Sequence, residues 1–187
     1  MKVLHLPTTV GGNPQRLSQA ERKIGLDSSS IAFHQNVFQF PADKVLFKKN
    51  QFVRNEIKRW FFIINELRKY DVVHFNFGLF ASPFRKFDLT AQRPTWRRKF
   101  YNFFYGRPLE GMDLKLLTSS QKVIAVTYQG DDARQGDYCR KNYPIHHVHE
   151  VEEGYYSDFS DRLKRDRIAR FERYAHLIYA LNPDLLN

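Results

Sequence analysis

The stretch KVIAVTYQGDDAR, residues 122–134, decides the fold class. Its first seven residues are a nearly continuous apolar run, which is typical of a strand covered on both faces of a sheet. A glycine and several polar residues follow at once, so the chain turns where this strand ends. Buried strands of this kind belong to parallel sheets that carry helices on their faces.

Apolar runs of the same kind recur along the chain, and segments of helical periodicity separate them. The runs predict strands at 2–6, 30–33, 71–76 and 176–181, with a shorter strand at 45–47. The periodic segments predict helices at 13–24, 51–69, 96–105, 111–117 and 158–173. Residues 129–156 are polar and contain glycine, which predicts a loop. We therefore predict an α/β protein with a Rossmann-like, doubly wound, mainly parallel sheet.

The longest predicted helix, 51–69, is amphipathic. Its apolar residues recur at a spacing close to 3.6, and the charged and amide residues Arg54, Asn55, Lys58, Arg59, Glu66 and Lys69 lie between them. The apolar set is Val53, Ile57, Trp60, Phe61, Ile64 and Leu67.

Composition bounds the classes of function. The chain has 187 residues, 42% of them hydrophobic, which suits one globular domain and excludes a wholly disordered chain. The single cysteine, Cys139, excludes an internal disulfide and favours a reducing, cytoplasmic location. The formal net charge of +10 lies in the first 110 residues and predicts anionic partners. No apolar run approaches the ~20 residues that span a bilayer.

Three loops follow predicted strands and should line one crevice, because ligands of doubly wound sheets bind beyond the carboxyl ends of the strands. The predicted substrate-binding residues in these loops are Gly11, Gly12, Asn13, Asn76, Gly78, Gln129, Gly130, Asp131, Asp132 and Arg134. Glycines allow close approach of the backbone, and amides, carboxylates and guanidinium groups suit hydroxyl-rich or phosphorylated ligands. Three alternatives stay open: a plain strand–helix turn at Gly11, a buried and satisfied His74, and a third loop closed by an Asp–Arg ion pair.

The order of these motifs resembles the N-terminal domain of GT-B glycosyltransferases, most closely the bacterial retaining type with glycogen-synthase-like topology. The matching motifs are KVLHL at 2–6, the Gly-Gly-Asn helix start at 11–13, DVVHFN at 71–76, YQGDDAR at 128–134, HLIYA at 176–180 and NPDLL at 182–186. The resemblance therefore extends over almost the whole chain.

The resemblance implies a division of labour between two domains. Residues 1–187 would be the acceptor-binding domain, cut before its last strand, and a C-terminal domain absent from this chain would bind the nucleotide-sugar donor. The chain itself would then hold no cofactor and transfer no sugar. The resemblance further implies that His74 is the acceptor-side catalytic or orienting group and that Gly12 lies near the donor phosphate. Its acceptor would be a cell-surface or lipid-linked glycan.

A basic and aromatic segment at 84–107 predicts an anionic membrane surface as a second partner, which would place the protein at the inner face of the membrane. The predicted membrane-facing residues are Arg85, Lys86, Trp96, Arg97, Arg98, Phe100, Phe103 and Phe104. The alternatives are an ordinary helix whose aromatic residues pack on the sheet, a non-catalytic membrane- or protein-docking module, and, less favoured, a nucleic-acid site. The run of histidines at 146–149 has no spacing typical of a metal site, and we predict none.

Overall fold

The computed structural model describes residues 1–36, 38–86, 95–152 and 154–185. Within these ranges, six strands form one all-parallel sheet in the order β3-β2-β1-β4-β5-β6. The strands are β1 (Lys2–Leu6), β2 (Asp27–Ala32), β3 (Lys44–Val45), β4 (Val72–Asn76), β5 (Val123–Tyr128) and β6 (Leu177–Ala180). The prediction of an α/β chain with a Rossmann-like parallel sheet is confirmed.

Helices connect the strands. They are α1 (Asn13–Lys23), α2 (Phe52–Phe61), α3 (Trp96–Tyr101), α4 (Arg107–Leu109), α5 (Met112–Ser119), α6 (Gly136–Asn142) and α7 (Asp158–Tyr174). A π-helical turn (Phe62–Glu66) and a 3-10 turn (Leu67–Lys69) extend α2, and a second π-helical turn (Asn102–Gly106) extends α3.

Helix α6 lies in the segment that was predicted to be a loop, so that prediction was wrong. The helix is short and mostly polar, and it lacks the apolar periodicity that marks longer helices. A small separate core stabilises it, in which Cys139 packs with Val148 and Tyr156.

The two faces of the sheet are covered differently. Residues Leu4, Leu6, Val73 and Phe75 lie on one face and pack against the helical segments that follow β3, β4 and β5. Phe171 of α7 is the fully buried centre of that layer. The other face carries α1, whose Glu21 reaches His5 of β1. Helices on both faces confirm the doubly wound arrangement.

Helix α2 is rotated relative to what its apolar periodicity indicates. Its first two turns bury the polar residues Asn55 and Arg59, whereas Val53 and Ile57 are 70% and 65% exposed. The Arg59 guanidinium donates to the Ala81 carbonyl at 2.7 Å. The same group pairs with Glu56 and lies over the rings of Phe33 and Phe47.

The Asn55 side chain fixes the helix at a second point. Oδ1 of Asn55 accepts from the Lys48 N–H at 3.1 Å, and Nδ2 of Asn55 donates to the Lys48 carbonyl at 2.7 Å. Because these polar contacts hold the inner side of α2, its apolar face points away from the sheet.

We expect Arg59→Met to lower the free energy of unfolding by about 2–4 kcal/mol, because it removes the buried donor of the Ala81 carbonyl and the positive charge that pairs with Glu56. Urea unfolding measures the loss. Arg54→Met, on the exposed side of the same helix, is the matched control and should change the free energy by less than about 0.5 kcal/mol. Equal effects of the two substitutions would contradict the anchoring role of Arg59.

Candidate ligand crevice

The predicted crevice lies where the strand order reverses between β1 and β4. The loops that follow β1 and β5 meet there, since the Asn13 side-chain amide donates to Oε1 of Gln129 at 3.2 Å. The loop after β4 joins them through the Phe77 N–H, which donates to the Thr127 carbonyl at 3.1 Å. The structure thus brings the three predicted loops together.

The first loop needs its glycines. Gly11 and Gly12 have φ angles of 65° and 72°, in the left-handed region that favours glycine. A Cβ on Gly11 would lie 3.0 Å from Nδ2 of Asn13 and 3.2 Å from Oε1 of Gln129. Gly12 is the N-cap of α1, and no side chain of the described residues caps the helix. The Asn13 N–H donates to the Val10 carbonyl, and Pro14 has no N–H, so the first two residues of α1 offer a ligand no free backbone donor.

Buried polar atoms around this turn lack partners. The side chains of Thr9 and Gln15 are 2% and 5% exposed, yet Oγ1 of Thr9 and Oε1 of Gln15 have no hydrogen-bond partner among the described residues. The same holds for Oγ1 of Thr8 and Nε2 of Gln129 within those ranges. An unpaired buried polar atom costs about 1–3 kcal/mol, so the group at this turn is a candidate for bonds to a ligand or to water. In the described part of the chain, unpaired buried atoms also occur away from the turn, in Gln51, Glu110, Tyr128, Arg167 and Arg170.

Sequence reasoning missed Thr8, Thr9 and Gln15. Threonine in a loop and glutamine in a first helical turn are common, and no motif distinguishes them. The signal in the sequence was their position beside the Gly11-Gly12 turn, within reach of the predicted crevice.

In the third loop, Asp132 holds the backbone. Its carboxylate accepts from the N–H groups of Gln129 at 3.1 Å and Gly130 at 2.7 Å. Burial raises the pKa of Asp132, and these backbone hydrogen bonds oppose that effect. Asp132 and Gly130 therefore stabilise the conformation of the loop, because the Asp132 carboxylate and the Gly130 N–H are hydrogen-bonded to each other.

Asp131 and Arg134 form the ion pair that we weighed as an alternative, at 3.1 Å. Asp131 also accepts from the hydroxyls of Tyr155 and Tyr156, and Nε of Arg134 donates to Asp184 at 2.6 Å. Burial opposes ionisation of Asp131, but the bonds from the two tyrosines and Arg134 outweigh it and hold its pKa below the ordinary value. Of the third loop's side chains, Gln129 keeps an unpaired polar atom within the described ranges.

The second loop is closely packed. Gly78 has a φ of 48°, and a Cβ there would lie 2.9 Å from the ring of Tyr128, so the residue serves packing. Asn76 is buried and its amide donates to the His74 carbonyl at 3.3 Å.

His74 belongs to a buried polar chain that crosses three strands. Its Nδ1 lies 3.0 Å from Nδ1 of His5, and its Nε2 lies 2.7 Å from Oγ1 of Thr127. Nε2 of His5 lies 2.8 Å from a carboxylate oxygen of Glu21. Since that carboxylate only accepts, one tautomer set satisfies every contact: Thr127 donates to His74, His74 to His5, and His5 to Glu21. Both nitrogens of His74 are engaged, as in the buried and satisfied alternative.

Burial keeps the pair of histidines neutral. Desolvation, together with the neighbouring His5, lowers the pKa of His74 to about 4. Desolvation also lowers the pKa of His5, although the hydrogen bond to Glu21 opposes the shift. The chain is therefore uncharged at its two histidines near pH 7.

We expect the stability of the protein to fall with the pH between about 6.5 and 4. In the unfolded chain His74 gains a proton near its ordinary pKa of 6.5, whereas the folded chain resists protonation down to about 4. Protonation therefore favours unfolding across this window, by roughly 3 kcal/mol in all. Urea unfolding at successive pH values measures the slope.

His74→Gln should flatten that slope, because glutamine can hydrogen-bond but does not titrate. His149→Gln, an exposed position, is the control and should leave the slope unchanged. A wild-type slope that persists in His74→Gln would show that other groups cause it.

The histidines of the run at 146–149 contact different partners. His147 contacts the Tyr156 hydroxyl, and His149 contacts the Tyr143 carbonyl. In the described part of the chain, one group of three potential ligands occurs, formed by Cys139, His146 and Asp184. Asp184 is bound by Arg134, and Nδ1 of His146 accepts from the Val148 N–H.

The structure also places the predicted membrane-facing residues. Trp96, Phe100, Phe103 and Phe104 are all at least 60% exposed. Arg85 is an exception, because its guanidinium points inward to Glu110 at 2.6 Å. The other basic residues predicted there are Lys86, Arg97 and Arg98, and Lys86 lies over the ring of Tyr101. Phe87, Asp88 and Arg93 of the same segment lie outside the described residues.

Comparisons with protein-family models, with curated proteins and with solved structures found no match to this chain.

Proposed function

We propose that this chain is the acceptor-binding half of a GT-B glycosyltransferase, which transfers a sugar from a nucleotide-sugar to a cell-surface or lipid-linked glycan. The observation that carries the proposal is the set of unpaired polar atoms of Thr8, Thr9, Gln15 and Gln129 around the Gly11-Gly12 turn, within the part of the chain that the structure describes. The order of the sequence motifs, which resembles that of the family, agrees with it.

The chemistry of the crevice suits a sugar. Hydroxyl groups both donate and accept, and the unpaired set offers amide N–H and carbonyl groups together with threonine hydroxyls. The charged side chains of the third loop are already engaged, Asp131 and Arg134 with each other and Asp132 with backbone N–H groups, which favours an uncharged ligand here over a phosphorylated one.

Each half would have its own part in the reaction. The acceptor hydroxyl would be held by Gln15 and Gln129, and the second domain would bind the nucleotide-sugar, from which the nucleotide leaves as the new glycosidic bond forms. Both ring nitrogens of His74 are engaged by His5 and Thr127, so we assign it a positioning role. Leu177 and Tyr179 of the edge strand β6 are about half exposed, which supports a further segment packing there in the intact enzyme.

Saccharide binding tests the proposal. We expect mono- and disaccharides of the common hexoses and N-acetylhexosamines to give saturation-transfer NMR signals with the 187-residue chain. Gln15→Ala and Gln129→Ala should each weaken binding about fivefold, the loss of one hydrogen bond of about 1 kcal/mol. Gln19→Ala, on the exposed side of α1, is the matched control and should bind as the wild type does.

Free nucleoside diphosphates should bind no more tightly than the sugars, because the donor site belongs to the other domain. Binding of UDP or GDP at the crevice without saccharide binding would overturn the acceptor assignment. Absence of every ligand would favour the second candidate, a non-catalytic docking module, and crevice variants would then leave function in cells unchanged.

A further inference from the structure

Helix α2 and the helical segment 96–106 enclose an apolar groove outside the crevice. The groove has a volume of about 1030 Å³. Val53, Ile57 and Trp60 line one wall, and Phe100, Tyr101 and Phe104 line the other. The wall contributed by α2 is the apolar face that the polar anchors Asn55 and Arg59 turn away from the sheet.

Polar atoms beneath the groove are already paired. Nε1 of Trp60 donates to the Tyr105 hydroxyl at 2.7 Å, and that hydroxyl donates to Glu56 at 2.9 Å. This chain of hydrogen bonds ties α2 to the π-helical turn, so the two walls are held together. The exposed interior therefore offers hydrocarbon and aromatic surface.

The apolar surface continues beyond the groove on both sides. Phe61 and Ile64 extend it along α2, and Trp96 and Phe103 extend it along α3 and its π-helical turn, each being more than half exposed. A contiguous exposed apolar surface of this kind marks an interaction site. Both walls of the groove are helical. Among the described residues, no helix is long and apolar enough to cross a bilayer.

The charge around the groove favours an anionic partner, since Glu56, the acidic residue of its lining, is already paired with Arg59. Residues 96–109 contain four basic side chains and no acidic one, and Lys86 adds a fifth where its amine lies over the rings of Phe52 and Tyr101. A second copy of the chain would bring two basic rims together, which is unfavourable. Nucleic acid would stack on aromatic rings but would gain little from the aliphatic side chains Val53 and Ile57.

We propose that this groove docks the protein on an anionic lipid bilayer, with α2 and α3 lying in the plane of the interface. The apolar side chains enter the region between headgroups and hydrocarbon, and the basic residues bind the phosphates. Docking through this surface is independent of saccharide binding at the crevice.

Vesicle binding tests the proposal. We expect the chain to sediment with vesicles of phosphatidylglycerol and phosphatidylcholine (1:1), to bind pure phosphatidylcholine at least tenfold more weakly, and to lose binding as salt increases. Trp60 and Trp96 are the two tryptophans of the chain and both lie at this surface. Their fluorescence should shift to shorter wavelength on binding and should be quenched by lipids brominated on the acyl chain.

Matched variants isolate the surface. Ile57→Asn should weaken vesicle binding about tenfold, and Lys99→Glu should weaken it at least fivefold. Ile145→Asn, at a site 95% exposed and remote in sequence from the groove, and Lys141→Glu should bind as the wild type does. Circular dichroism checks that each variant folds, and Gln129→Ala should bind vesicles normally whatever its effect on saccharides.

Three results would overturn the proposal. One is vesicle binding that Ile57→Asn leaves intact. Another is a dimer in the absence of lipid that Ile57→Asn dissociates, combined with no binding to vesicles. The third is binding of single-stranded oligonucleotides at this surface without binding to anionic vesicles.

Discussion

The reversal of the strand order at β1 is the constraint on which the rest of the structure depends. The chain builds the sheet outward from β1 to β3 and then returns to add β4 on the other side of β1. Because all strands are parallel, the carboxyl ends of β1, β4 and β5 lie at the same edge of the sheet, and the loops that follow these strands begin there. The crevice, the start of α1 and the contact between Asn13 and Gln129 all follow from this one arrangement.

Polar groups are used in two different ways around that edge. Within the sheet, the chain of hydrogen bonds from Thr127 through His74 and His5 to Glu21 leaves no ring nitrogen of these two histidines unpaired. Around the turn before α1, side-chain atoms of Thr8, Thr9, Gln15 and Gln129 have no partner among the described residues, and these four form the candidate binding set. The same principle acts on α2, where buried polar anchors set which face of the helix meets solvent.

Much of the fold could be predicted from the sequence, because continuous apolar runs such as 122–128 report burial on both faces directly. The orientation of α2 could not be predicted, because periodicity shows that a helix has an apolar face but not what that face contacts. Helix α6 escaped prediction because tertiary packing around Cys139 and Tyr156 stabilises it, and not its own pattern.

The candidate site was predictable at the level of loops and less so at the level of side chains. The three loops meet as expected, but which polar atoms remain unpaired depends on neighbours distant in sequence, such as Asp184 for Arg134. The most direct test of the account is amide chemical-shift mapping of the labelled chain with neutral saccharides. The account predicts the largest shifts at Gly11, Gly12, Gln15 and Gln129. Shifts confined to other surfaces, or none at any saccharide concentration that NMR allows, would contradict it.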